Sequence, residues 1–325
     1  MLNENELILC KLKNYIALIG IYLLICPSLW GQYKTLLVVG KGSGAEFSTI
    51  QSAIEAAKAF PDQSIVIYIQ KGVYNEKVII PEWNPRLRLE GESMEETIIT
   101  YSDHFNGINK GRNSTFYTPT LSVEANDVVL KNLTITNDAG PVGQAIALSL
   151  TGDRITVLNC KITGHQDTVY CNGEYRRHYF ENCYISGTTD FIFGSATVWF
   201  QNCEIQSKSS SYITAASTPP SVKFGFIFMK CTITAASGVK NVYLGRPWRA
   251  FAKTVFIDCQ YLLDLHPNVW DDWNDINNRK TAFYAEYGEN GLGKRPDWVH
   301  ILSKKQAGKY TIDRVFSGWN PTSTK

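Results

Sequence analysis

Apolar positions along this chain recur in short alternating runs and almost nowhere at helical spacing. Five segments share one pattern: VLNCKI around Cys160, FENCYI around Cys183, FQNCEI around Cys203, FMKCTI around Cys231 and FIDCQY around Cys259. The segment LKNLTI repeats it with Leu133 in the cysteine place, and the steps from Leu133 onward are 27, 23, 20, 28 and 28 residues. Self-similarity at this period belongs to a solenoid and not to a metal-ligand motif. Each unit holds a short alternating strand, an Asn or Asp turn position in most copies, and a second short strand. One unit cannot bury its inner face alone, whereas stacked copies can, so the pattern predicts an all-β parallel β-helix.

The cysteines then form an inward column of small hydrophobes. Adjacent coils lie roughly 4.8 Å apart, inside the Cα range that a disulfide tolerates. Cys183 and Cys203 therefore either close a disulfide or remain reduced members of the column.

Ahead of the repeats, GKGSGAEFSTIQSAIEAAKAFP predicts a helix that caps the open end of the solenoid. Ser48 with Gln51 reads as a capping box, Ile50, Ala53, Ile54 and Ala57 form an apolar stripe, and Pro61 marks the stop. The glycines lack the Lys-Ser/Thr pair that a phosphate loop needs. Beyond about residue 265 the repeat fades into DDWNDINNRK, the loop EYGENGLGKRPDW and a short helix expected near Ser303 to Phe316. No linker divides 32–325, which reads as one domain with irregular C-terminal elaboration.

Residues 1–31 read differently. Lys11 and Lys13 precede an apolar run from Tyr15 to Cys26, followed by Pro27, Ser28 and Gly31. This is the outline of an export signal, with an uncleaved anchor as its alternative. The run is short for a membrane span and no later segment approaches the necessary length, so the mature chain is expected to be exported, soluble and monomeric.

Bulk composition narrows the partners. Lys plus Arg is 32 against 30 for Asp plus Glu, a net +2, which gives no reason to invoke nucleic acid or an anionic membrane. The 12% aromatic content, with 17 Tyr and 8 Trp, suits either stacking on sugar rings or an ordinary β-rich core.

Candidate chemistry comes from the repeat phase. Asp190, in ISGTTDFIFGSATVWF, stands among residues of a buried strand, where an ionised carboxylate is costly without compensation. It lies seven residues after Cys183, and Asp167, in TGHQDTVY, lies seven residues after Cys160. The two occupy equivalent places on successive coils, with Cα atoms expected roughly 5 Å apart. Carboxylates this close cannot both ionise easily; one should hold its proton and the other should need a cation. Arg246, in YLGRPWRA, is the candidate cation, since a guanidinium holds a carboxylate bidentately while staying charged. Gln166 precedes Asp167, and Gln144 lies one coil earlier in PVGQAIALSL; their amides are candidate donors to a developing oxyanion. Gln144 also reads as a coil-turn amide, and Trp248 reads either as a flat apolar face of the site or as core.

Taken together, GSGAEFSTIQSAI, GVYNEKVII, QAIAL, GHQDTVY, SGTTDFIFG, LGRPWR and EYGENGLG, in this order and spacing, resemble the pectin methylesterase (pectinesterase) family over nearly all of 32–325. The resemblance implies a right-handed parallel β-helix and hydrolysis of the methyl esters of polygalacturonate without cofactor or metal. It implies that Asp190 is the nucleophile, Asp167 the acid and base, Gln144 and Gln166 the oxyanion donors, and Arg246 the group that orients Asp190. It further implies that Trp248, Tyr170 and Phe193 line the sugar cleft, with Thr115 of STFYTPT near the place of a substrate-contacting threonine. His165, before Gln166, and the absence of a long pro-region lean towards the bacterial type; His165 itself reads as a structural or wall residue.

Rival readings fit less well. An inverting glycoside hydrolase needs carboxylates about 6.5–9.5 Å apart, wider than adjacent coils give unless the side chains diverge; spacing alone does not exclude a retaining hydrolase, so the amide pair and the motif match decide. A lyase on this scaffold would be expected to use calcium, and no cluster of acidic oxygen ligands surrounds the site. A non-catalytic carbohydrate-binding solenoid would have no reason to bring Asp167, Asp190 and Arg246 together.

Overall fold

The computed structural model describes residues 33–288 and 295–324. The proposed export signal therefore lies outside the described residues, as does most of the GENGLG loop. Three parallel sheets of 11, 8 and 7 strands form the body. The central coils pass in turn through all three: Ile155–Leu158 in the first, Lys161–Thr163 in the second and Val169–Cys171 in the third. The next coil repeats the path through Arg177–Glu181, Tyr184–Gly187 and Ile192–Gly194. This is the parallel β-helix that the repeat predicts.

The turn position of the repeat has a conformational cause. Asn132, Asn159, Asn182, Asn202, Lys230 and Asp258 all have φ between 50° and 54°. Asn and Asp tolerate this left-handed region best among residues with a Cβ, and it redirects the chain from the first sheet into the second. The following residues, Leu133 and Cys160, Cys183, Cys203, Cys231 and Cys259, point inward and are all buried. Three residues before the cysteines, Phe180, Phe200, Phe228 and Phe256 stack in register with centroids 4.9, 4.5 and 4.3 Å apart. Coil spacing and ring spacing nearly coincide, so the rings stay in contact from coil to coil.

Cys183 and Cys203 are free thiols in the structure, so the column and not the disulfide is the arrangement found. Registered parallel strands hold neighbouring side chains at roughly the 4.8 Å coil spacing, whereas a disulfide wants Cβ atoms about 3.8 Å apart. Each thiol instead donates to a corner carbonyl: Cys183 Sγ to Glu181 O at 3.4 Å and Cys203 Sγ to Gln201 O at 3.4 Å.

The cap helix spans Ile50–Ala56 and buries Ile50, Ala53 and Ile54. Its N-cap is Thr49 and not Ser48, with the Thr49 side chain accepting from Ser52 N. Gln51 does not complete a capping box: its Oε1 accepts from Ile79 N at 2.8 Å, and the Glu76 carboxylate takes the free N–H groups of Ile50 and Gln51. A carboxylate at a helix N-terminus is favourable by charge as well as by bonding. At the other end, the single helix expected near Ser303 to Phe316 is two, Lys304–Ala307 and Ile312–Val315, because Gly308 caps the first. Val315 and Phe316 pack on Tyr179, Trp199 and Ile227, covering the outer face of the 11-stranded sheet. Among the described residues, no helix is long and apolar enough to cross a membrane.

Candidate active site

The 7-stranded sheet presents its strands in the order Tyr243–Pro247, Tyr212–Ala216, Ile192–Gly194, Val169–Cys171, Leu148–Leu150, Leu121–Val123 and Val78–Ile80. Val169 pairs with Ile192, and Ile192 with Thr214. Asp167, Asp190 and Tyr212 each stand two residues earlier, so they occupy one place on three successive coils. Asp167 and Asp190 have φ of 64° and 50°, a conformation that Asp tolerates but that costs energy in a regular strand. Backbone bonds hold it: Asp167 N donates to Thr189 O at 3.1 Å and Asp190 N to Tyr212 O at 2.8 Å. Gly194 closes the strand after Asp190 with φ +124°, and a Cβ there would lie 2.0 Å from Cys171 O. No other residue type fits that corner.

Arg246 reaches back across the Tyr212 coil to Asp190. Nε donates to Oδ1 at 3.0 Å and Nη2 to Oδ2 at 2.6 Å, a bidentate pair. The guanidinium is sandwiched between two rings, with Cζ 3.9 Å from the Tyr212 centroid and 3.8 Å from that of Trp273. The rings fix its plane and shield it from water.

Electrostatics separates the two carboxyls. Burial, the Asp190 charge next door and only a partial offset from Arg246 put the Asp167 pKa well above the carboxylate range. Asp190 is also raised by burial, but less, because Arg246 pulls it back through hydrogen bonds and charge; Asp271 works the other way. The Arg246 pKa rises because Asp190 more than offsets its own burial. There is thus a pH range in which Asp190 is ionised and Asp167 protonated.

Both aspartates open on a cavity of about 420 Å³ that Thr115, Gln144, Gln166, Phe193, Arg246 and Trp248 also line. Gln144 and Gln166 bridge as a parallel pair one coil apart, and neither side-chain amide is bonded to a described residue. Phe193 is 4% exposed and packs with Ile146 and Ala215, with Trp248 meeting its ring edge-on at 5.8 Å. Tyr170 is half-buried. It stands between Phe193 at 4.7 Å and Phe116 at 5.2 Å, supporting the aromatic row from the side. Thr115 is buried on the short helix Gly111–Tyr117, where its carbonyl accepts from Thr118 Oγ1. His165 lies off the cavity; its Nδ1 has no partner, and burial together with Lys208 lowers its pKa. That is the structural of the two alternatives.

Several cavity residues escape the sequence reading. Trp273 follows the repeat, within DDWND, where no phase assigns it a place. Phe105, Arg112 and Phe116 come from an excursion between coils. Tyr212 was accessible in principle: it lies 22 residues after Asp190, in the same phase. A second groove, of about 380 Å³, lies outside the 11-stranded sheet and is lined by Phe224, Val255 and Tyr310 among others. Among the described residues it is lined by no carboxylate, whereas the first holds the aspartate pair.

A parallel β-helix with a paired, guanidinium-held aspartate in a cleft bearing aromatics and free amides has the construction of a carbohydrate-modifying enzyme. Residues 36–318 match the model of the pectinesterase family, and the chain belongs to that family. "Probable pectinesterase 8" of Arabidopsis thaliana is 35% identical over 301 residues, covering 86% of this chain and 74% of that protein. The pectin methylesterase from carrot superposes with a TM-score of 0.82 at 28% identity, covering 90% of this chain and 97% of the other. A pectin methylesterase solved in complex with a hexasaccharide gives a TM-score of 0.77 at 28% identity, covering 89% and 99%.

Proposed function

We propose that this cleft hydrolyses the methyl esters of polygalacturonate, releasing methanol and de-esterified pectin, with Asp190 and Asp167 carrying the two chemical steps. Family membership supports the reaction; the unequal carboxyl pair supports the roles. Asp190, ionised and held by Arg246, attacks the C6 carbonyl carbon of a galacturonate ester. The negative charge that develops on the carbonyl oxygen is met by the amides of Gln144 and Gln166, which are bonded to no described residue. The tetrahedral adduct collapses as Asp167 gives its proton to the departing methoxy oxygen, and methanol leaves an acyl-enzyme anhydride on Asp190. Asp167, now a carboxylate, takes a proton from water, whose oxygen attacks the same carbon. Asp190 leaves as the carboxylate, Asp167 is protonated again, and the sugar keeps a free acid.

The observation that carries this reading is the bidentate Arg246–Asp190 pair beside a registered Asp167 that has no cation of its own among the described residues. Burial sharpens it, since a poorly hydrated carboxylate held by one cation is a better nucleophile. Trp248 and Phe193 present apolar faces to the sugar. The same reading makes residues 32–325 one mature domain, exported by residues 1–31 to where the polymer lies and acting as a monomer. The test is methanol release from highly methylated pectin by the purified mature chain, with polymer size followed in the same samples. Methanol without chain shortening is expected. Shortening, or an unsaturated product, without methanol would overturn the reading in favour of a hydrolase or lyase.

A further inference from the structure

We propose that the groove outside the 11-stranded sheet binds a small amphipathic anion, an aromatic ring system carrying one carboxylate, at a site separate from the catalytic cleft. The groove follows from the way the sheet is covered. The C-terminal segment closes the apolar outer face at two places: Val315 and Phe316 pack on Tyr179, Trp199 and Ile227, and Leu302 and Ala307 pack on Val255, Ile257 and Ala285. The chain between the helices Lys304–Ala307 and Ile312–Val315 has to bridge from one cluster to the other. Tyr310, in that bridge, packs against both clusters. Beside it lies the cavity of about 380 Å³, with Gly225, Ile227 and Val255 of the sheet as its floor.

The rim of this apolar floor is cationic. Lys223, Lys253, Lys309 and Arg314 line the groove, and among the described residues no carboxylate does. Lys223 Nζ lies 5.3 Å from the centroid of the Phe224 ring, and Lys253 Nζ donates to Val222 O. None of the four makes an ion pair with a described residue. Lys253 is half-buried, and burial lowers its pKa with no carboxylate to offset it.

Four unpaired like charges around one apolar floor select the ligand. An anion relieves their mutual repulsion, and an apolar body takes the floor out of water. Phe224, Phe283 and Tyr310 offer rings to a flat body, and the volume lies in the range of small-ligand sites. A neutral apolar molecule would leave the cations unpaired, and a sugar acid would leave the floor wet. A second copy of the chain seated on the same face would set these cations against their own equivalents.

The experiment is titration calorimetry of the purified protein with naphthoate and with its neutral analogue naphthylmethanol. Naphthoate is expected to bind at one site, and naphthylmethanol about fivefold more weakly or worse, the upper scale of one exposed ion pair. Arg314→Gln and Lys309→Gln, both at exposed positions, should each weaken naphthoate about two- to fivefold, less so as salt is raised. Their ligand-free melting temperature and methanol release should match wild type. Lys41→Gln, just beyond Leu36–Val39 at the other end of the same sheet, and Asp190→Asn, in the cleft, should bind naphthoate as wild type does. Equal binding of the two probes, no binding of naphthoate, or a loss in Asp190→Asn in place of the groove variants would overturn the inference. So would a dimer in sedimentation whose formation excludes the probe, since the groove would then be an interface between copies of the chain.

Discussion

Replacing Arg246 with lysine keeps the charge and removes the geometry. The two donors at 3.0 and 2.6 Å from Asp190 become one ammonium, and the flat ion no longer fills the slot between Tyr212 and Trp273. Losing one hydrogen bond to a charged group costs about 1.5–3 kcal/mol, and the weakened ring contacts add about 0.5–1 kcal/mol. Asp190 is 6% exposed, so water makes up little of the difference. If this cost falls on the poised nucleophile, kcat should drop by about 30- to 1000-fold, with KM changing much less. Arg246→Met should be worse, because it leaves a buried carboxylate unpaired, a loss of about 3–5 kcal/mol. It should also move the acid limb of the pH–rate profile upward, as Asp190 loses the group that lowers its pKa. Methanol-release kinetics across pH for both variants, with circular dichroism as the folding control, provide the assay. An Arg246→Lys enzyme within about threefold of wild type in kcat would refute the argument that bidentate, stacked geometry matters.

Other consequences follow from the same geometry. Asp167→Asn should abolish turnover while improving stability as the medium becomes less acidic. Burial beside Asp190 raises the wild-type pKa, so the folded chain binds this proton more tightly than the unfolded chain. That contribution is whole below the ordinary carboxylate value and is lost as pH rises through the folded one. Melting temperatures from about pH 4 upward should diverge in favour of the variant, and a constant difference would contradict the assignment. Gln166→Ala, which removes one oxyanion donor, should lower kcat about 100- to 1000-fold with KM nearly unchanged; a pure KM effect would make Gln166 a binding residue. Thiol titration should find Cys160, Cys171, Cys183, Cys203, Cys231 and Cys259 unreactive in the native chain and all reactive in denaturant without reductant, since all are free and buried. Two missing thiols would restore the Cys183–Cys203 disulfide.

Much of the architecture was legible because a solenoid writes its period into the sequence. The Asn-Cys corners encode a left-handed turn followed by an inward residue, and the same phase placed Asp167 beside Asp190. The local details were less legible where competing groups exist. Glu76, far along the chain, supplies the helix start that Ser48 and Gln51 were expected to provide. Whether Cys183 and Cys203 bond was not legible, because Cα spacing alone does not report how parallel side chains are directed. Trp273 and Arg112 sit in segments outside the repeat, where no periodicity says which way a side chain faces. Tyr170 was assigned to the cleft by motif; in the structure it stacks on its in-register neighbour Phe193, which lines the cavity.

The central claim is that Asp190 becomes acylated during turnover. Adding hydroxylamine to wild-type enzyme turning over methylated oligogalacturonate should trap the anhydride, and peptide mass spectrometry should find a hydroxamate at Asp190 only. Rapid turnover with no modified aspartate, a hydroxamate at Asp167 in place of Asp190, or undiminished methanol release by Asp190→Asn would contradict it.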